Sequence, residues 1–167
     1  MRRAGGGEPR LGGRMALGAD VHVGERVLHA YSFHLESRPV DGAYRAAQAR
    51  ELVDDAGARS SPVVLGGDAN AHQFALDLML GTAWDATAAA LFSFGFEDAH
   101  RGLPLQRRVT HAPFLVIDLI AGRGVAFEEA RVGPAARWGG LSDHLPLWAS
   151  LRLGEEPLAH PAAWSAP

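Results

Sequence analysis

The 167-residue chain has no cysteine and no lysine; all 16 of its basic residues are arginine. Without thiols there is no disulfide framework, no thiolate metal site and no cysteine nucleophile. Without lysine, every mechanism that needs a catalytic lysine is excluded. Beside so much alanine and glycine, the arginine bias reads as coding bias, not as a functional signal. Excess positive charge is also missing. A net charge of -3 and a pI near 6.2 argue against a generally basic nucleic-acid surface, though not against a local basic groove. No apolar run approaches the length of a membrane span. Met1 to Arg14 is rich in Gly and Arg and lacks the apolar stretch of a secretory signal, so a cytoplasmic location is the default expectation. What remains is an ordinary globular composition, 47% hydrophobic and 21% charged, long enough for one domain with a real core.

One stretch organises the rest. Val63-Val64-Leu65 is a short β-branched and leucine run that reads as a buried strand. Gly66 and Gly67 let the backbone turn at its end, and Asp68, Asn70 and His72 follow at every second position. Alternate side chains share a face in an extended segment, so Asp68 and Asn70 project together from the carboxyl end of a strand. A carboxylate beside an amide suits a hard cation and a phosphate oxygen.

Around it, residues 1–14 read as a flexible lead-in and 154–167 as a frayed Pro/Ala-rich tail, leaving one domain over 15–153. Met15–Val23 alternates as a half-buried strand, and Gly24-Glu25 turns it into a second strand, Val27–Leu35. Asp41–Ala58 carries helical signals. Asp41 caps it, Tyr44, Ala47, Leu52 and Val53 form its apolar stripe, Arg45, Gln48, Arg50 and Glu51 fill the polar remainder, and Gly57 stops it. Helices are expected over His72–Leu80 and Asp85–Phe92. Strands are expected at Val109–His111, Phe114–Ala121, Val125–Val132 and Trp148–Leu153.

Polar residues stand at several strand ends: His34, Asp68 with Asn70, Asp118, and Asp143 with His144. Singly, each has a plain explanation. A lone His after a strand is more often structural, Asp68 can cap the following helix, and Asp143 can serve a turn. Asp118 is harder to dismiss, because a buried carboxylate within Val116-Ile117-Asp118-Leu119-Ile120 needs a partner. His22, His29, His72 and His111 show no ligand-like spacing and read as structural or surface residues. Together the set answers the needs of metal-assisted phosphoester hydrolysis: carboxylates for a cation, a neutral imidazole as base, and donors for developing charge. His144 paired with Asp118 would be the base and its orienting carboxylate.

His34-Leu35-Glu36, Gly67-Asp68-Ala69-Asn70, Ile117-Asp118 and Ser142-Asp143-His144, in that order, resemble the endonuclease/exonuclease/phosphatase superfamily. Arg45 and Gln48 fit its habit of an Arg and a Gln in the helix after the His motif, whereas Ala69 stands where the family usually has an aromatic. The resemblance spans about Met15 to Leu153. It implies an α/β, DNase I-like two-sheet sandwich and a phosphoester hydrolase dependent on Mg²⁺ or Mn²⁺. It further implies that His34, Asp68, Asn70, Asp118 and His144 are catalytic and that Asp68, Asn70 and Asp143 face the metal. The partner it implies is a phosphoester substrate, with nucleic acid, phospholipid and inositol phosphate all left open; Arg101, Arg107 and Arg108 share a loop that reads as solvated.

One departure is plain. The family carries an earlier half with a metal-binding Glu, and nothing ahead of Met15 supplies it. The expectation is therefore a partial domain with its N-terminal portion missing, or completed by another chain. The competing reading is a non-catalytic remnant or interaction module that keeps the fold. A calcineurin-like phosphoesterase would need Gly-Asn-His and Gly-His-x-His, and a serine hydrolase a Gly-x-Ser-x-Gly elbow; the chain has none of these.

Overall fold

The computed structural model describes residues 14–37, 42–74, 86–111, 114–134 and 140–154. The expected lead-in and tail apart from Arg14 and Gly154, the Asp41 cap and most of the expected helix over 72–80 lie outside them. Strand β1, Ala16–Val23, turns at Gly24-Glu25 into β2, Arg26–His34. Gly24 takes a φ of 62°, which suits a two-residue hairpin loop. Helix α1, Gly42–Gly57, then crosses to β3, Val63–Phe74, which lies parallel to β2. After α2, Ala86–Leu91, come the two-residue β4, Glu97–Asp98, and β5, Leu115–Arg123. These five strands form one sheet, ordered β1-β2-β3-β5-β4. Strands β6, Val125–Val132, and β7, Leu147–Leu153, pair as a second sheet. This is the expected α/β, two-sheet architecture.

Side-chain parity divides the large sheet. Phe33 of β2 and Leu35 just after it, Val63 and Leu65 of β3 and Ala121 of β5 are buried in one core with Leu52, Val53 and Ala56 of α1, Leu91 of α2, and Phe96. The opposite face carries Ser32, His34, Val64, Gly66 and Asp68, the intervening positions of the same strands. At the open edge of this sheet, Leu17, Val21 and Val23 of β1 and Met15 just before it are exposed.

Two expectations need correction. The glycines do not end β3: the strand continues through them to Phe74, and Gln73 and Phe74 pair with Val116 and Leu115. Backbone pairing with β5 overrides the helical reading at residues 72–74, with a register irregularity between Asp68 and Gln73. The polar side of α1 is also not simply solvated. Arg45 and Gln48 are buried, because Arg45 donates to the Glu36 carbonyl (3.2 Å) and the Gln48 side-chain oxygen accepts the Glu36 N–H (2.9 Å). Tyr44 is exposed instead, and Ala46, Ala49, Leu52, Val53 and Ala56 make the buried stripe.

Arg123, at the end of β5, ties the sheet to the C-terminus of α1. Its guanidinium donates to the carbonyls of Gly57, Ala56 and Arg59 at 3.1, 3.3 and 2.7 Å and lies over the Phe96 ring. Carbonyls at a helix end lack intrahelical donors, and a cation there also meets the negative end of the helix dipole. Arg123→Met fills the space but takes the guanidinium from the Gly57 and Arg59 carbonyls, while the Ala56 carbonyl keeps the Arg59 N–H at 3.3 Å. The expected loss is about 2 kcal/mol in urea unfolding, within the usual cost of unsatisfied buried polar groups.

His100 supplies a pH dependence. It is buried beside Asp98, which also pairs with Arg108 at 2.5 Å. Burial pushes its pKa down, against the pull of the Asp98 charge. The native state therefore binds this proton less readily than the unfolded chain. Its contribution is fully present above the ordinary histidine value of about 6.5 and is lost as pH falls toward the lower native value. Urea midpoints at pH 7.5 and 5.5 should diverge in the wild type and converge in His100→Gln.

Candidate active site

The strand pairing assembles the site. His34 of β2 is in register with Asp68 of β3, and Asp68 with Asp118 of β5. Paired residues point to the same face, so three polar side chains form one row across three strands, on the face away from α1. His34 Nε2 lies 3.4 Å from Asp68 Oδ2 and 3.1 Å from Arg14 Nη1. Arg14 also donates to Ser37 Oγ at 2.8 Å, which anchors the approach to β1 beside the end of β2.

Asp68 and Asn70 sit in the irregular stretch of β3. Asp68 Oδ1 accepts the Asn70 N–H at 2.8 Å, an Asx-type turn, and Asn70 takes a φ of 46°. Asn70 is buried and donates through Nδ2 to the Leu35 carbonyl at 3.2 Å. Asp68 caps this bulge instead of a following helix. Its Oδ1 is thereby fixed and its Oδ2 is turned along the row.

Asp118 finds the partner its burial demands. His144 Nδ1 lies 2.9 and 3.1 Å from its two oxygens. Thr110 sets this pair in place. Its fully buried hydroxyl accepts the N–H groups of Ile117 and Asp118 (3.2 Å each), and its carbonyl accepts the Leu145 N–H at 2.7 Å. His144 also bridges His111 through the backbone, and the two rings meet edge to face with centroids 4.8 Å apart. Sequence patterning does not point to Thr110, and it gives His111 only a structural or surface role. Their importance comes from a bridge to a segment more than 30 residues away, which no local spacing reveals.

Burial opposes charge on His144, but the Asp118 hydrogen bond and the charges of Asp118, Asp68 and Asp143 outweigh it and move the imidazole pKa up. Burial, reinforced by the Asp68 charge, raises that of Asp118 against the bonds from His144 and Thr110. The carboxylate thus holds the imidazole in one tautomer and steadies its cation.

The expected metal ligands divide between two clusters that share His144: Asp68 with Asp118, and Asp143 with His111. Neither contains both Asp68 and Asp143. In the first, two carboxylates face each other across adjacent strands, and the Asp68 charge helps to raise the Asp118 pKa. A hard cation beside Asp68 would relieve that repulsion, so the two carboxylates and their local charge fit a divalent cation. A cavity of about 640 Å³ between β1, β2 and α1 shares no residue with this row. Chemistry, not volume, marks the site. Among the described residues no helix is long and apolar enough to cross a membrane.

No family model matches the sequence, and neither does any curated protein. Solved structures do share the fold. An endonuclease/exonuclease/phosphatase from Beutenbergia cavernae aligns with a TM-score of 0.68 at 21% identity, covering 88% of this chain and 41% of its own. D. rerio TDP2, complexed with single-strand DNA product, gives 0.63 at 20%, covering 83% of this chain and 62% of that one. The human Nocturnin catalytic domain with bound sulfate gives 0.66 at 19%, covering 85% and 54%. The fold is therefore that of the endonuclease/exonuclease/phosphatase proteins. This chain spans between 41% and 62% of the length of these three.

Proposed function

We propose that the chain carries part of the catalytic surface of a metal-dependent phosphoester hydrolase. The observation that supports this best is the row His34–Asp68–Asp118, closed at one end by His144 on Asp118. Asp68 would hold the cation, Mg²⁺ or Mn²⁺, with Asn70 fixing the turn that aims it. When bound, the cation supplies Lewis acidity to a phosphoryl oxygen. His144, its Nδ1 held by Asp118, has Nε2 left to take a proton from water or give one to the leaving oxygen. His34, half-exposed at the other end, donates to the phosphate. The solved structures with single-strand DNA product and with sulfate concern other proteins, yet both ligands carry tetrahedral oxyanions of the kind this row suits.

The test is hydrolysis of a generic phosphodiester with Mg²⁺. Chelation should abolish turnover, and Asp68→Ala should lower it by about 10² or more, as expected when a site's charge-stabilising group is lost. Turnover indifferent to chelator and substitution alike would end the proposal. A second reading, the fold retained without the reaction, draws on the division of the expected metal ligands between two clusters, neither of which holds both Asp68 and Asp143. Calorimetric titration with Mg²⁺ or Mn²⁺ separates the two, because a non-catalytic module has no need to bind either.

A further inference from the structure

A second set of ligating side chains gathers where the segment after Val109 meets the one after Leu141. His111, Asp143 and His144 each bring one donor atom within 4.8 Å of the others. His111 Nε2 is 3.5 Å from Asp143 Oδ2. Backbone pairing, not side-chain reach alone, brings them together: His111 and His144 are bridge partners, and the Leu145 N–H donates to the Thr110 carbonyl. His144 is also gripped from behind, its Nδ1 against both oxygens of Asp118. Metal-ligating histidines are commonly held in this way, one ring nitrogen on a carboxylate and the other toward the ion. With Nδ1 engaged, Nε2 is the atom left to ligate.

The donor set decides which ion. Two imidazoles and one carboxylate suit a borderline transition metal, Zn²⁺ above all, and leave a fourth position open. Mg²⁺ prefers oxygen ligands throughout. The site is also reachable: the Asp143 side chain is 77% exposed and those of His111 and His144 are 25% and 32% exposed. We propose that His111, Asp143 and His144 form a transition-metal site selective for Zn²⁺ over Mg²⁺, with Asp118 as the carboxylate behind it. Binding here stands apart from hydrolysis. One consequence does rest on the hydrolytic reading: a metal and a proton exclude each other on His144 Nε2, so Zn²⁺ would silence the base.

Calorimetric titration of the full chain with ZnCl₂, and separately with MgCl₂, tests the site. The expected result is one Zn²⁺ per chain, undisturbed by excess Mg²⁺. His111→Ala should weaken it by about 100-fold. Asp118→Asn should weaken it by about 10–100-fold, the usual penalty for losing an outer-shell partner. Co²⁺ in place of Zn²⁺ should give a visible ligand-field band that His111→Ala removes. His111→Asn, with circular dichroism of each variant, guards against a simple loss of fold. No Zn²⁺ binding by the wild type would overturn the site, as would binding undiminished in both folded His111 variants and in Asp143→Asn.

Discussion

His144→Ala is expected to lower Mg²⁺-supported phosphodiester hydrolysis by about 10²–10⁴-fold, the usual contribution of a positioned general acid or base. The reason lies in what the imidazole alone provides. Its Nδ1 lies against both oxygens of Asp118 and the surrounding charges move its pKa up, whereas the other imidazole of the row, His34, meets its carboxylate only at 3.4 Å. Asp68 and Asp118 cannot replace it, since the first is turned toward His34 and the second is spent on His144 itself. Asp118→Asn keeps the shape and removes the charge that steadies the imidazolium, so it should fall in the same direction. The double variant should be little worse than His144→Ala, because groups acting as a unit lose their effect together. Steady-state kinetics on variants with unchanged thermal melts decides the matter. A His144→Ala rate within twofold of wild type would remove His144 from the chemistry.

Gly67→Ala should destabilise the fold more than Arg123→Met does, by about 3 kcal/mol, the upper part of the range for overpacking. A Cβ at this position would run into the carbonyl of Phe33 on the neighbouring strand, with the Phe33 carbonyl carbon and nitrogen at 2.8 and 3.0 Å. These are backbone atoms of β2, so no side chain can swing aside; the two strands must part. Gly66 is the internal control. A Cβ there meets only the Ile120 Cγ1, at 4.0 Å, an ordinary contact. Gly66→Ala should be neutral or mildly stabilising, since glycine in a strand carries an entropic cost of about 0.5–1 kcal/mol. Urea unfolding of the two variants side by side should therefore separate them clearly. Equal midpoints would mean that β2 and β3 leave room between them for a side chain.

Much of this architecture could be read from the chain before folding. The alternating run before Gly24 marks its strand almost to the residue, because period-two patterning is a local property, and the strand expected over Val125–Val132 has the same bounds in the structure. Asp118 stands out for a different reason: a charge amid four apolar neighbours is a cost that only a partner can offset. What could not be read depended on distant pairing. Gly66-Gly67 looks like a stop in one dimension and is a close strand crossing in three. Arg45 and Gln48 look like solvent-facing positions until the Glu36 backbone arrives to bond them. Thr110 and His111 carry no local signal until the residues near Asp143 fold back on them.

The His34–Asp68–Asp118 row belongs to no single strand; it exists only in the alignment of three. A slip of β3 by one position would turn its carboxylate toward the helices and bring the neighbouring apolar residue outward. Ligand binding at this row would therefore serve as a proofreader of assembly, rewarding the one threading of the sheet in which the three side chains coincide.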